Sequence, residues 1–170
     1  MKDMTSTSVY RTIPSTPIRK MTIKDPGSSI THFIGLIMAA LGTAPLLVRA
    51  GRHDSPIYMI SMAVFMASMI LLYAASTTYH TFDVSPSVNK LLKKVDHMMI
   101  SVLIAGSYTP VCLLVLNDRL GLILLGIVWG LAITGILIKA FWIYCPKWFS
   151  SILYICLLYT SPSPRDRQKS

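Results

Sequence analysis

Ile57-Tyr58-Met59-Ile60-Ser61-Met62-Ala63-Val64-Phe65-Met66-Ala67-Ser68-Met69-Ile70-Leu71-Leu72-Tyr73-Ala74-Ala75 contains no charged residue, and it runs directly into Ser76-Thr77-Thr78-Tyr79-His80. About 20 apolar residues in a row are what a helix needs to cross a hydrocarbon layer ~30 Å thick. The stretch is therefore read as a transmembrane helix. Its polar end carries a second message. Ser76 and His80 are four residues apart, so both side chains fall on one helical face. Polar and titratable groups at the edge of a membrane span are costly and usually mark a site.

Three further stretches have the same character: Ile30–Val48, Met98–Leu116 and Leu120–Ile138. A fifth starts near Trp148 and is cut short. Lipid offers no partner for backbone amides, and these segments are too long and too uniformly apolar for barrel strands, so each is predicted to be a helix. The expected fold is all-α, a multi-pass transmembrane helical bundle with four full spans and a partial fifth. Composition agrees. Hydrophobic residues make up 53% of the chain and charged residues 14%, against about a quarter in soluble domains. Mean hydropathy is +0.57.

The formal charge is +9, and the chain contains no glutamate. Such a balance suggests nucleic-acid binding, but the basic residues are spread over loops and not gathered on one face. No nucleic-acid partner is expected; the expected partners are membrane lipids. Lys2, Arg11, Arg19, Lys20 and Lys24 precede the first span, Lys90, Lys93 and Lys94 follow the second, and Lys139 and Lys147 follow the fourth. The opposite side holds only Arg49, Arg52 and Arg119. The positive-inside rule then puts the N-terminus in the cytoplasm. The loop between spans two and three, with His80 and Asp96 at its edges, lies at the inner leaflet.

Residues 1–27 are rich in Ser and Thr, with Pro14, Pro17 and Pro26, and read as a flexible cytoplasmic arm. They contain no apolar core of the length a secretory signal requires, so the first span is expected to act as the insertion signal. Residues 28–155 form the transmembrane domain. From Cys156 to Asp166 the string CLLYTSPSPRD reads as the translation of a transposon-based sequencing adapter. Residues 156–170 are expected not to be native, with the native chain ending near Ile155. Cys112, Cys145 and Cys156 are widely separated and odd in number, which argues against a disulfide framework.

Small residues recur at Gly35, Ala39 and Gly42, at Ala63 and Ala67, and at Gly126 and Gly130. They either allow close helix approach or reflect ordinary membrane-helix composition. Pro45 and Pro110 are expected to kink or end their helices. Trp142, Tyr144, Trp148 and Tyr154 cluster where an aromatic belt would lie.

His80 is the leading candidate metal ligand, because a neutral imidazole suits zinc. The same residue also reads as an interfacial histidine bonded to backbone or a headgroup. Ser76, one turn earlier, suits a hydrogen bond to a metal-bound water or a substrate carbonyl; it also suits a bond back to its own helix. Asp96 enters span three beside Lys93 and Lys94. It reads as a helix-start carboxylate favoured by the macrodipole, or as a base near a metal-bound water. His97 is turned about 100° away, so the two cannot face one point. Thr31-His32 opens span one on the same side of the membrane and either joins this centre or sits at headgroup level. Pro110, in Tyr108-Thr109-Pro110, frees a carbonyl one turn earlier, as at a bend near a cavity. Phosphate-binding, dinucleotide-binding, HExxH and nucleophile-elbow motifs are all missing from the sequence.

Asp25-Pro26-Gly27-Ser28-Ser29-Ile30-Thr31-His32-Phe33-Ile34-Gly35, Ala75-Ser76-Thr77-Thr78-Tyr79-His80, Lys94-Val95-Asp96-His97 and Ile104-Ala105-Gly106-Ser107-Tyr108-Thr109-Pro110 together resemble the bacterial haemolysin III family. Val128-Trp129-Gly130-Leu131-Ala132 with Gly135-Ile136 adds to the resemblance, which covers about Asp25 to Tyr154. That family is similar to the adiponectin and progestin receptors. The resemblance implies a seven-helix protein of the bacterial plasma membrane with a cytoplasmic N-terminus. It also implies zinc as cofactor, with His80 as first ligand and two further ligands from an HxxxH motif on a last helix, a motif this chain lacks. Ser76 and Asp96 would be the catalytic polar partners of the metal and its water. Many members carry Glu and Asn where Asp25 and Ser28 stand here. Three functions are then open: a zinc-dependent hydrolase of lipid amide or ester bonds, a cytolytic or channel-like protein, and a lipid sensor without turnover. With one ligand of three, this chain is expected to hold zinc poorly.

Overall fold

The computed structural model describes residues 23–116, 118–141 and 155. The sequence readings at Lys2 to Lys20, at the aromatic cluster beyond Phe141, at the fifth span and at the segment from Cys156 lie outside these residues. The described chain is four long helices joined by short turns: α1 Pro26–Ala50, α2 Pro56–Thr81, α3 Pro86–Pro110, continued by a π-helical turn Val111–Leu116, and α4 Arg119–Phe141. Among the described residues there is no strand. All four helices are long and apolar enough to cross a membrane. This is the all-α multi-pass architecture expected from the apolar stretches.

Local chemistry sets where the helices begin. Asp25-Pro26, Ser55-Pro56 and Ser85-Pro86 open α1, α2 and α3, with proline in the first turn. A proline there loses no helical hydrogen bond, and its fixed φ suits the turn. Ser85 adds a cap, its Oγ accepting from the Val88 N–H at 3.3 Å. Asp118 does the same for α4, its Oδ1 accepting from the Gly121 N–H at 2.8 Å.

The two internal prolines behave differently. Pro45 lies inside α1, which continues to Ala50. Pro110 lies where α3 changes from α to π winding. Lacking an N–H, it cannot donate to the carbonyl one turn back, and the chain re-registers there without breaking.

Each helix packs against its neighbours in sequence. Among the described residues α1 touches α2 alone, α2 touches α1 and α3, and α4 touches α3 with its π turn. The result is an antiparallel row, not a closed ring.

The α2–α3 seam is lined by small and polar side chains. Ser61, Ser68 and Ser76 are buried on α2; Asp96, Ser101, Ala105, Gly106 and Thr109 are buried on α3, and Cys112 on the turn that follows. Ser68 sits against Gly106 so closely that a Cβ on Gly106 would lie 2.7 Å from Ser68 Cβ. Antiparallel pairing from that contact brings Ser76 alongside Asp96. The seam's serines solve their polarity locally: Ser61 Oγ donates to the Ile57 carbonyl at 2.7 Å and Ser68 Oγ to the Phe65 carbonyl at 2.7 Å. The α3–α4 contact is built on Ala105, Val128 and Ala132, all fully buried, and Trp129 Nε1 donates to Thr109 Oγ1 at 3.1 Å.

The small residues divide. Gly35 admits the Tyr73 ring, which a Cβ would approach to 2.6 Å. Gly42, Gly126 and Gly130 face open space.

Candidate polar centre at the helix ends

One end of the row gathers the start of α1, the end of α2 and the first turns of α3. The α1–α2 register follows from the Gly35–Tyr73 contact; one turn toward that end His32 meets Ser76, and about two turns along Ser29 meets Thr81. His32 Nδ1 and Ser76 Oγ are hydrogen-bonded at 2.5 Å. Ser29 Oγ and Thr81 Oγ1 are 2.6 Å apart. Ser76 is thus the exception in its seam. Ser61 and Ser68 bond back to their own helix, whereas the Ser76 hydroxyl is held by a side chain from α1. Of the Thr31-His32 pair, only the histidine joins. Thr31 is exposed, and its hydroxyl donates to the Gly27 and Ser28 carbonyls on its own helix.

His80 lies one turn beyond Ser76. Its ring meets the His32 ring edge to face, with centroids 5.4 Å apart and planes at 83°. Its Nδ1 lies 3.3 Å from Asp25 Oδ2. Asp25 in turn accepts from Ser28 Oγ at 2.8 Å. The Asp25 carboxyl is held below its ordinary range, chiefly by the Ser28 hydroxyl and also by His80. Backbone bonds fasten the same segment: the Asp25 N–H donates to the His80 carbonyl at 3.0 Å and the Lys24 N–H to the Thr81 carbonyl at 3.4 Å. Lys24 Nζ sits 3.6 Å over the Tyr79 ring.

Asp96 closes the centre from α3. It is buried and lies within electrostatic reach of Ser76 and His80. His97 is far more exposed and touches Asp96 only at its outer edge, Nδ1 to Oδ2 at 3.4 Å, as the 100° helical step requires. Lys139 is buried at the same end of α4, its Nζ donating to the His97 carbonyl at 3.2 Å.

The three residues singled out by sequence, Ser76, His80 and Asp96, are therefore brought together. The structure also brings in His32, which the sequence left between two readings, and adds Asp25. The link from Asp25 to Ser28 is legible as an i, i+3 pair, but nothing local announces that Asp25 meets a histidine 55 positions later. The donor chemistry of the cluster fits one corner of a zinc site: an imidazole whose second nitrogen faces a carboxylate, with a hydroxyl and a second carboxylate beside it. It does not complete one. Among the described residues no group of three or more His, Cys, Asp or Glu is arranged to hold a metal ion.

Comparison with known proteins matches residues 21–164 to the family described as "Haemolysin-III related". The match runs into the segment from Cys156 that was set aside on sequence. The chain is 38% identical over 130 residues to "Hemolysin-3" of Bacillus cereus, covering 76% of this chain and 59% of that protein. It is 36% identical over 137 residues to "Hemolysin-3 homolog" of Bacillus subtilis strain 168, covering 80% and 64% respectively. The chain thus spans about three fifths of the length of the relatives it matches. No solved structure is a significant match.

Proposed function

The chain belongs to the haemolysin III family, and on that premise we propose that it supplies one wall of a zinc-dependent hydrolase centre for lipid amide or ester bonds. That centre would lie at the inner leaflet of a bacterial plasma membrane, with the N-terminus of the chain in the cytoplasm. The supporting observation is the convergence of His32, Ser76, His80 and Asp96 at one end of the helix row, where the basic residues of the loops also gather. His80 would hold the metal, and the remaining ligands would come from residues outside those described. Bound zinc lowers the pKa of a water toward neutrality and polarises a carbonyl. Asp96 would take a proton from the attacking water, and Ser76 would orient the scissile carbonyl. The closely packed α2–α3 seam above them would exclude water.

A cytolytic reading draws on the printed names of the relatives. The described helices do not favour it: beyond their end turns only α3 carries charged side chains, all in its first half up to Asp96, whereas a conducting path needs a polar or charged lining along its length.

The test uses this chain completed to the length of its relatives. About one zinc per protein and hydrolysis of a lipid amide or ester are expected, both lost in His80→Ala. Protein without zinc overturns the proposal. Zinc without turnover on any lipid tested supports the sensing alternative, and vesicle leakage that survives His80→Ala supports the pore.

A further inference from the structure

Asp25 and Ser28, at the start of α1, form a unit with His80. Ser28 Oγ donates to Asp25 Oδ2 at 2.8 Å, and that same oxygen lies 3.3 Å from His80 Nδ1. The arrangement is not a chance approach of two mobile side chains. The Asp25 N–H donates to the carbonyl of His80 itself, so one residue grips both the backbone and the ring of the other. Ser29 on Thr81 and Lys24 on Tyr79 and on the Thr81 carbonyl pin the segment on either side. The His80 ring is further confined by His32 and by Tyr79, whose centroids lie 5.4 and 4.8 Å away.

We infer that Asp25 is a positioning residue for His80. Its carboxylate takes the N–H of Nδ1 and so leaves Nε2 as the free electron pair. An imidazole has one donor nitrogen and one acceptor nitrogen when neutral, and the bond made by one decides the role of the other. Carboxylates that fix a metal-binding histidine in this way typically contribute 10- to 100-fold in metal affinity. Ser28 completes the device by holding the carboxylate on the ring. The metal part of the inference rests on the zinc proposal above; the ring's tautomer does not.

Two measurements separate them. The chain has four histidines, so nitrogen-15 spectra of histidine-labelled 170-residue chain in lipid nanodiscs can be assigned by single replacements. His80 is expected to be protonated at Nδ1. Asp25→Ala should move it toward the Nε2-protonated form that free imidazole side chains prefer, Ser28→Ala should move it partway, and Asp25→Glu should restore it. Helical content by circular dichroism controls for folding. Should Asp25→Ala not fold, Ser28→Ala carries the test, since it removes one half-buried hydroxyl. A wild-type His80 protonated at Nε2, or a tautomer indifferent to both variants, overturns the inference whatever the metal does. In the completed protein, zinc affinity measured with a competing chelator should fall about 10- to 100-fold in Asp25→Ala and return in Asp25→Glu. A completed protein that takes no zinc while His80 keeps its Nδ1 proton would sink the zinc proposal and leave Asp25 as the residue that orients the ring.

Discussion

Ser76 shows at the scale of one residue how position decides chemistry. Three serines line the same face of α2, and two of them satisfy their hydroxyls on their own backbone. The third is reached by His32 from α1. Side-chain hydrogen bonds inside membrane proteins average about 0.6 kcal/mol and reach about 1.7, so the His32–Ser76 bond is a modest tether. A double-mutant cycle of His32→Ala and Ser76→Ala, read by reversible unfolding in mixed micelles, should return a coupling of about that size. A coupling indistinguishable from zero would mean that the bond organises nothing. Ser76 and His80 were legible in sequence because four residues along a helix is one face. His32 was legible as an alternative only, since joining the centre depends on the α1–α2 register. For Asp25 only the i, i+3 spacing to Ser28 was legible, not its contact with His80.

At the scale of the element, the helices are dictated by length and apolarity, and their contacts by where a side chain is absent. Gly106 has no room for a methyl group because Ser68 Cβ would lie 2.7 Å away, whereas Gly126 faces open space. Gly106→Ala should therefore cost about 1–3 kcal/mol through forced separation of α2 and α3. Gly126→Ala should be neutral or stabilising by about 0.5–1 kcal/mol, because alanine restrains the unfolded backbone more. Both are read from unfolding midpoints. Replacing Ser68 by glycine in the Gly106→Ala protein should recover part of the loss, and equal effects of the two alanines would refute the packing account. Spacing named Gly126 and Gly130 as readily as Gly35. Only the crossing geometry separates the glycine that admits a neighbour's ring from those that meet nothing.

For the molecule as a whole, the described helices form an open row whose polar groups are unevenly shared between its two ends. The end with Asp25, His80, Asp96 and Lys139 holds the clustered buried and paired titratable residues; the other holds Arg49, Arg52, His53, Asp54, Asp118 and Arg119 in its turns and helix ends. The proposed orientation makes a topological prediction. With Cys112, Cys145 and Cys156 replaced by alanine, Asp54→Cys in the α1–α2 turn should react with a membrane-impermeant thiol reagent added to intact cells. Val84→Cys in the α2–α3 turn should react only after the membrane is opened. The reverse pattern would place the polar centre on the outer face and remove the argument for an inner-leaflet substrate.

The apolar runs by themselves determined that the chain is helical, how many described helices it has and that they suit a bilayer, because a buried backbone in lipid must satisfy its own hydrogen bonds. The i, i+4 step likewise put Ser76 and His80 on one face without any fold. Which groups reach them from elsewhere was decided only in three dimensions. His32 and Asp25 arrive from α1, and Asp96 arrives from α3, through two antiparallel registers set by close contacts at Gly35 and Gly106. No spacing along one helix encodes how far it slides against the next.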